Sequence, residues 1–463
     1  MFQLRGLIGE HGILPVSDYL RRSAEARGPG AWWQVPTIFW LRSTDGALVT
    51  VCVTGVIAAA LVVVNISPRV MLGLCAGVLL SFATVVHRFG SFQMDALLVE
   101  AGFLAVFLAP GGFRPGLGAT SPSSRLAGFA VTWLLFRVYF ESGLAKLSGD
   151  PGWAALTVMD HYYETGPLPT VLAWYAQELL PHWVHVASTF FTLVVETVLV
   201  WAVFWTSRPR RVLFCVLTAF QLAIIATANY GALNYLTLTL GIWLLDDDAF
   251  AALRQRAPPA LDAEPGLIWR SASAALLGWH FYVTTALLLA GSIALPAWPN
   301  PPLMSLRLAT RFGFFGQLPE KRVELEFQGS DDGEHWVPYT YRFKPQDTSS
   351  MPGFFAPYQA RFEIALAIAA LDDDPRHSHW TQLAGERLSS GSQEVLRLFR
   401  QDPFGGHPPS YVRIVRWDYR FSTPQERAAD GSFWKRSPLG LFGPVLHRSD
   451  TGRVDTVDSL TGL

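Results

Sequence analysis

The chain has 463 residues; half are hydrophobic, only 16% are charged, and the formal net charge is −1. A soluble globular chain carries about 25% charged residues, so this one needs an apolar solvent along much of its length, in keeping with its mean hydropathy of +0.26. The balanced charge argues against a nucleic-acid partner. The three cysteines, Cys52, Cys75 and Cys215, all fall in apolar stretches and read as small hydrophobes, not as a disulfide framework or a metal site.

Residues 1–45 lack the continuous apolar run of a signal peptide. Eight apolar segments follow: Gly46–Val64, Arg69–Val86, Phe92–Leu108, Leu126–Leu147, Val184–Trp205, Val212–Ala228, Tyr230–Leu245 and Ser271–Leu295. A long loop, 148–183, separates the fourth from the fifth. The expected fold is an α-helical multi-pass membrane bundle of about eight spans over 46–295, then a soluble α+β C-terminal domain over 296–463. The basic cluster Ser207–Arg211 sets the orientation. With that cluster in the cytoplasm, Arg69, the Arg114/Arg125 loop and 246–270 fall on the same side. The segment 1–45, the long loop and the C-terminal domain then lie outside the cytoplasm. An outside N-terminal segment means either that the spans are miscounted or that a further helix precedes Met1, and the second is the expectation. The expected location is a bacterial inner membrane.

The fourth segment is the most informative, because it carries Arg137, Glu141 and Lys146. An ionisable residue inside a spanning helix costs about 2.5–3.5 kcal/mol on insertion scales. Arg137 and Glu141 are four apart, share a helix face and can pair. Lys146 lies five beyond Glu141, roughly 140° round the helix, so its partner must come from another helix, water or a ligand. The competing reading is a lysine that snorkels to the interface from its helix end or sits in a structural pair. Asp95 and Glu100 fall within the third segment.

In the long loop, His161 and Glu164 within Met159–Pro169 have a spacing seen in metal ligands, though a surface loop folded on the membrane is the stronger reading. On the fifth segment His185, Thr189, Thr192 and Glu196 are spaced 4, 3 and 4, so they line one helix face. Such a stripe is either hydrogen-bonding glue between helices or the wall of a polar cavity. Gln221, Asn229 and Asn234 would join that cavity, with the break at Tyr230–Asn234 lining it. After Pro296 charge rises. Val323–Phe327 and Trp336–Phe343 alternate as strands about the turn Ser330–Gly333, and Tyr411–Phe421 reads as a strand. Pro357–Leu371 and Ser392–Arg400 read as helices. His377 and His379, after the acidic run Asp372–Asp374, could hold a metal, though a solvated loop is the stronger reading. There is no GxSxG, P-loop, HExxH or CxxC, so the chain is not itself an evident lipase and no cofactor is expected.

Several stretches together resemble the lipase maturation factor family: LRGLIGEHGILPVSDYL, FRVYFESGLAKLSGDPGWAALTVMDHYYETGPLPT, FGFFGQLPEKRVELEFQGSDDGEHW, APYQARFEIALAIA and DPFGGHPPSYVRIVRWDYRFS. The likeness runs nearly end to end. It implies a multi-pass membrane protein whose C-terminal domain faces the lumen and helps secreted lipases fold and assemble. The C-terminal domain here has no cysteine, unlike animal members, which removes a disulfide role from the expectation. A shorter likeness, GLAKLSGDPGW, is similar to the lysine-bearing helix end of vitamin K-dependent γ-carboxylases.

Two functions follow. In the first, a chaperone-like protein anchored among membrane lipids handles exported clients such as lipases, with exposed aromatics Trp336, Phe354, Phe355 and Trp434 as contacts. In the second, a membrane enzyme acts on a lipid- or quinone-like ligand. The γ-carboxylase likeness then makes Lys146 the base, with Glu196 and His185 beside it. Further candidate binding residues are Arg137, Glu141, Trp153, Asp160, His161, Tyr162, Glu164 and Asn234.

Overall fold

The computed structural model describes residues 2–90, 93–115, 123–206, 208–246, 266–290, 296, 301–372, 374–449 and 451–457. Most of the 246–270 loop, the end of the eighth apolar segment (291–295), Ser207 and Asp373 lie outside the described residues.

The N-terminal segment forms α1 (Leu4–Ile8), α2 (Val16–Arg27) and α3 (Ala31–Gln34). Thr44 then caps α4 (Asp45–Val63) by accepting the Ala47 N–H, and Pro68 opens α5 (Pro68–Val85) at a position where its missing N–H costs nothing. Next come α6 (Gln93–Leu108) and α7 (Arg125–Gly149). The long loop folds into α8 (Pro151–Ala154), α9 (Met159–Thr165) and α10 (Val171–Leu179). α11 (His182–Thr197) continues as a 3₁₀ segment, Leu199–Phe204, before α12 (Arg208–Thr227), α13 (Leu233–Ile242) and α14 (Leu267–Leu289).

Among the described residues, five helices are long and apolar enough to cross a membrane: α4, α5, α11 with its 3₁₀ extension, α12 and α14. They match the first, second, fifth, sixth and eighth expected segments. The other three differ for separate reasons. α6 has only 16 residues and α13 only 10. α7 is long, with 25 residues, but Arg137 and Glu141 dilute its apolar character. Every residue of α7 from Ala130 to Tyr139 is buried, the mark of a helix enclosed by others. α6, α11, α13 and α14 all pack against it.

After α15 (Pro301–Ser305) the chain builds a six-stranded antiparallel sheet: β1 (Arg322–Ser330), β2 (Val337–Pro338), β3 (Tyr411–Phe421), β4 (Trp434–Leu441), β5 (Val445–Arg448) and β6 (Val454–Val457). β3 is central and pairs with the whole of β1 through Tyr411–Tyr419. Its other edge is divided between β5 at Tyr411 and Val412 and β4 at Val415–Phe421. Over the sheet lie α16 (Arg361–Ala369), α17 (Trp380–Ser389) and α18 (Gln393–Leu396); α19 (Pro424–Asp430) follows β3 and opens with a capping box, Thr423 with Glu426.

The expected strand 336–343 contracts to β2. Beyond Pro338 the alternation continues, but Tyr339 and Tyr341 enter the core without a ladder. The expected helix 392–400 stops at Leu396, because the Arg400 N–H is drawn to Thr340 O at 2.7 Å.

The N-terminal segment shares one core with the sheet layer: Leu7, Ile8, Ile13 and Val16 pack in the same cluster as Leu325, Phe327, Phe362, Leu398 and Phe399. Gly6 permits the approach of α1 to α18, since a Cβ there would lie 2.5 Å from Glu394 O. Glu363 on α16 holds the chain beyond β2 in place. Its carboxylate accepts the consecutive N–H groups of Arg342, Phe343 and Lys344 at 3.0, 2.9 and 2.5 Å.

Burial outweighs those contacts and pushes the Glu363 carboxyl up to about 6. The folded chain therefore holds this proton more tightly than the unfolded one. The associated stability is complete below pH 4.5, the ordinary value, and is lost as pH rises through 6. The scale is about 2 kcal/mol. Glu363→Gln does not titrate. The stability of the wild type relative to Glu363→Gln should therefore fall by that amount from about pH 4.5 to 7.5. A pH-independent difference in their melting temperatures would refute it.

Candidate functional site: a polar seam between the bundle and the sheet

The charged residues of α7 form a continuous seam. Arg137 is fully buried. Its Nη1 donates to Glu100 Oε1 at 2.7 Å and its Nε to Glu141 Oε1 at 3.0 Å. His280 Nε2 lies 2.9 Å from the same Glu100 oxygen. The expected Arg137–Glu141 pair is present, but Glu100 and His280 complete it.

The seam's remaining valences go to one stretch of backbone, the strap 310–318 that leads into β1. Arg137 Nη2 donates to Thr310 O. Glu141 Oε2 accepts the Phe312 N–H at 2.6 Å, and Gln93 Oε1 the Gly313 N–H at 2.7 Å. Ser142 Oγ accepts the Phe314 N–H at 3.2 Å, and Trp153 Nε1 donates to Phe315 O at 3.1 Å. Trp153 is buried and has the Lys146 ammonium 5.2 Å from its ring centre.

Lys146 is 2% exposed, so it does not snorkel. Its Nζ donates to Glu196 Oε1 at 3.0 Å and to Phe314 O at 2.8 Å, and lies 2.8 Å from Glu196 Oε2. The partner comes from another helix, and the lysine makes two hydrogen bonds and one further ion-pair contact. Small residues allow the strap this close: Cβ atoms on Gly313 and Gly316 would lie 3.0 and 3.1 Å from Ala145 Cβ, and one on Gly149 only 2.8 Å from Gly316 O. Gly149→Val is expected to push the strap off α7 at a cost of about 1–3 kcal/mol. The measurement is a lowered melting temperature with faster proteolysis between 305 and 320 in the full-length protein; unchanged proteolysis would refute it.

The stripe on α11 is buried along one face, yet it does not form one cavity. His185 faces Asp160 Oδ1 at 3.2 Å and Ala176 O at 3.1 Å, and His182 shares that aspartate at 2.9 Å. Eleven residues on, Glu196 is about 16 Å further along the axis, so His185 is not brought to Lys146. Thr189 and Thr192 bond back to His185 O and Ser188 O. Asn234 Nδ2 donates to Gln221 Oε1 at 2.7 Å and Gln221 Nε2 to Tyr139 Oη at 2.8 Å, a separate link between α13, α12 and α7. Asn229 is a tether: it donates to Gly353 O and accepts the N–H groups of Phe355 and Ala356.

The loop 159–169 is a joint. α9 buries Met159 and Tyr162 and turns His161 sideways, with its Nε2 enclosed and without a hydrogen-bond partner. Arg322 at the start of β1 collects the carbonyls of Glu164, Gly166 and Pro167, closing the C-terminal end of α9. Glu164 Oε2 answers by accepting the Phe421 N–H at 2.6 Å. Glu164 is thus tied to β3 and does not join His161; among the described residues no three His, Cys, Asp or Glu side chains gather to hold a metal. Spacing alone offers no signal for Arg322 at this joint, because its partners there are carbonyl groups; on its own strand it also pairs with Glu324 Oε1 at 2.5 Å. Asp95 and Arg361 add a forked pair at 2.6 and 2.7 Å between α6 and α16.

The expected aromatic contacts separate. Trp434 is fully buried beneath Arg322 and against Phe421, with which it pairs across the strands, so its expected exposure is corrected. Trp336 is half-buried with Arg413 stacked on it at 4.1 Å, and Phe355 is half-buried against Phe343. Phe354 is 59% exposed.

A helical bundle with, among the described residues, five membrane-length helices, tied to a sheet domain by the strap's hydrogen bonds and the Asp95–Arg361 pair, defines an integral membrane protein with a docked extramembrane domain. Residues 1–252 match the lipase maturation factor transmembrane domain and residues 308–444 the lipase maturation factor C-terminal domain. The chain belongs to the lipase maturation factor family. It is 29% identical to lipase maturation factor 1 of Homo sapiens over 96% of this chain and 84% of that one. It is 29% identical to lipase maturation factor 2 of Homo sapiens over 97% and 80%, and 28% identical to that of Gallus gallus over 97% and 79%. No solved structure matches.

Proposed function

We propose that this protein assists the folding or assembly of exported proteins, lipases among them, from the membrane. The observation that carries the reading is coverage. The similarity to named lipase maturation factors extends over 96% of the chain, so it takes in the bundle, the strap and the sheet together. The basic cluster at Arg208–Arg211 supports a cytoplasmic position for that end of the bundle. The sheet domain is then outside the cytoplasm, where exported clients emerge, and the membrane is a bacterial inner membrane. Lipids contact the outward faces of the five apolar helices. With Trp434 in the core, Phe354 and the half-buried Trp336 and Phe355 are the aromatics left for clients.

The test is the specific activity of secreted lipases from cells with and without this protein, normalised to lipase antigen. A fall in activity per lipase molecule is expected in its absence. Unchanged activity per molecule refutes the reading.

A further inference from the structure

A cavity of about 230 Å³ opens between α11 and α12. Its floor is the Lys146–Glu196 pair; Phe191, Phe220 and Ile224 form its walls, and Phe315 of the strap closes one end. Ala219 and Ala223, both exposed and both lining the cavity, leave a gap in the outer face of α12. α11 and α12 are each long and apolar enough to span a membrane. In a bilayer the gap therefore meets acyl chains, not water.

We propose that this cavity binds a bilayer lipid with a neutral, hydroxyl-bearing head, such as an acylglycerol, with the hydroxyl against Glu196 and the chain leaving past Ala219 and Ala223. The floor selects the head group. Lys146 and Glu196 neutralise each other, so a fatty-acid carboxylate or a phosphate would bring an uncompensated charge into a low-dielectric site. The carboxylate still has acceptor capacity. Lys146 aligns a proton with Glu196 Oε1, whereas Oε2, though 2.8 Å from Nζ, is buried and receives no aligned donor. A carboxylate has about four acceptor positions, and a lipid hydroxyl supplies the missing proton. An ester without a hydroxyl fills the walls but brings no aligned donor to that oxygen, and so binds more weakly.

The proposal concerns a lipid and does not depend on the identity of any client. The full-length protein in phosphatidylcholine nanodiscs is titrated with radiolabelled 1-monooleoylglycerol, with methyl oleate and oleate as competitors. Saturable binding that neither competitor displaces is expected. Two variants fill the gap without touching the ion pair, Ala223→Trp and Ala219→Phe. Each faces lipid and should leave the melting temperature unchanged while weakening binding about tenfold or more. Absence of saturable binding, displacement by methyl oleate or by oleate, or full binding in a folded gap-filled variant would each overturn the proposal. Lipase activity per molecule, measured in parallel on the same variants, keeps failure of this site distinct from failure of the maturation role.

Discussion

Replacing Arg137 with alanine should leave little or no folded protein. The guanidinium hydrogen-bonds both Glu100 and Glu141, His280 reaches only Glu100, and all four side chains are buried. Removing one partner of a buried pair costs about 3–5 kcal/mol, and here two carboxylates lose theirs at once. A typical fold has about 5–15 kcal/mol to lose. The strap also loses its contact at Thr310. Arg137→Lys should fall between the two, because an ammonium cannot span both carboxylates as the fork does. The measurement is the fraction of monodisperse protein after detergent extraction and its melting temperature. A melting temperature for Arg137→Ala within a few degrees of wild type would show that the seam does not hold the bundle.

The second large effect concerns Lys146. Lys146→Met strands the buried Glu196 carboxylate and should destabilise by about 3–5 kcal/mol. Adding Glu196→Leu removes the stranded charge, and replacing both members of a buried pair by apolar groups is often close to neutral. The double variant should therefore recover most of the stability, and lipase maturation should return with it. That pattern is the signature of a cross-link between α7, α11 and the strap. A base would behave differently: the double variant would fold and remain inactive, and Lys146→Arg would be inactive as well, because arginine does not deprotonate. A folded, inactive double variant would overturn the cross-link.

What was legible in the sequence follows from the range of each interaction. The apolar runs of α4, α5, α11, α12 and α14 are local signals, as is the alternation in β3, whose ends at Tyr411 and Phe421 are those expected. The Arg137–Glu141 pair was readable from its spacing because both residues sit on one helix. The partner of Lys146 lies fifty residues away on α11; the stripe there singled out Glu196 but carried no record of what it faces. The strap was least legible, since α7 holds it mainly through N–H and C=O groups that every residue possesses. Trp434 shows a related limit: alternation places a side chain on a face of β4 but not beneath Arg322.

That same strap sets the terms on which the chain can diverge. Because Glu141, Ser142, Lys146 and Trp153 grip the main chain, the side chains of Phe312, Phe314 and Phe315 are free to drift in size as long as their volume is matched across the seam. The positions that resist drift are the ones with nothing to show: Gly313, Gly316 and Gly149. A lineage could thus rewrite most of this crossing and still inherit the same angle between its membrane half and its sheet.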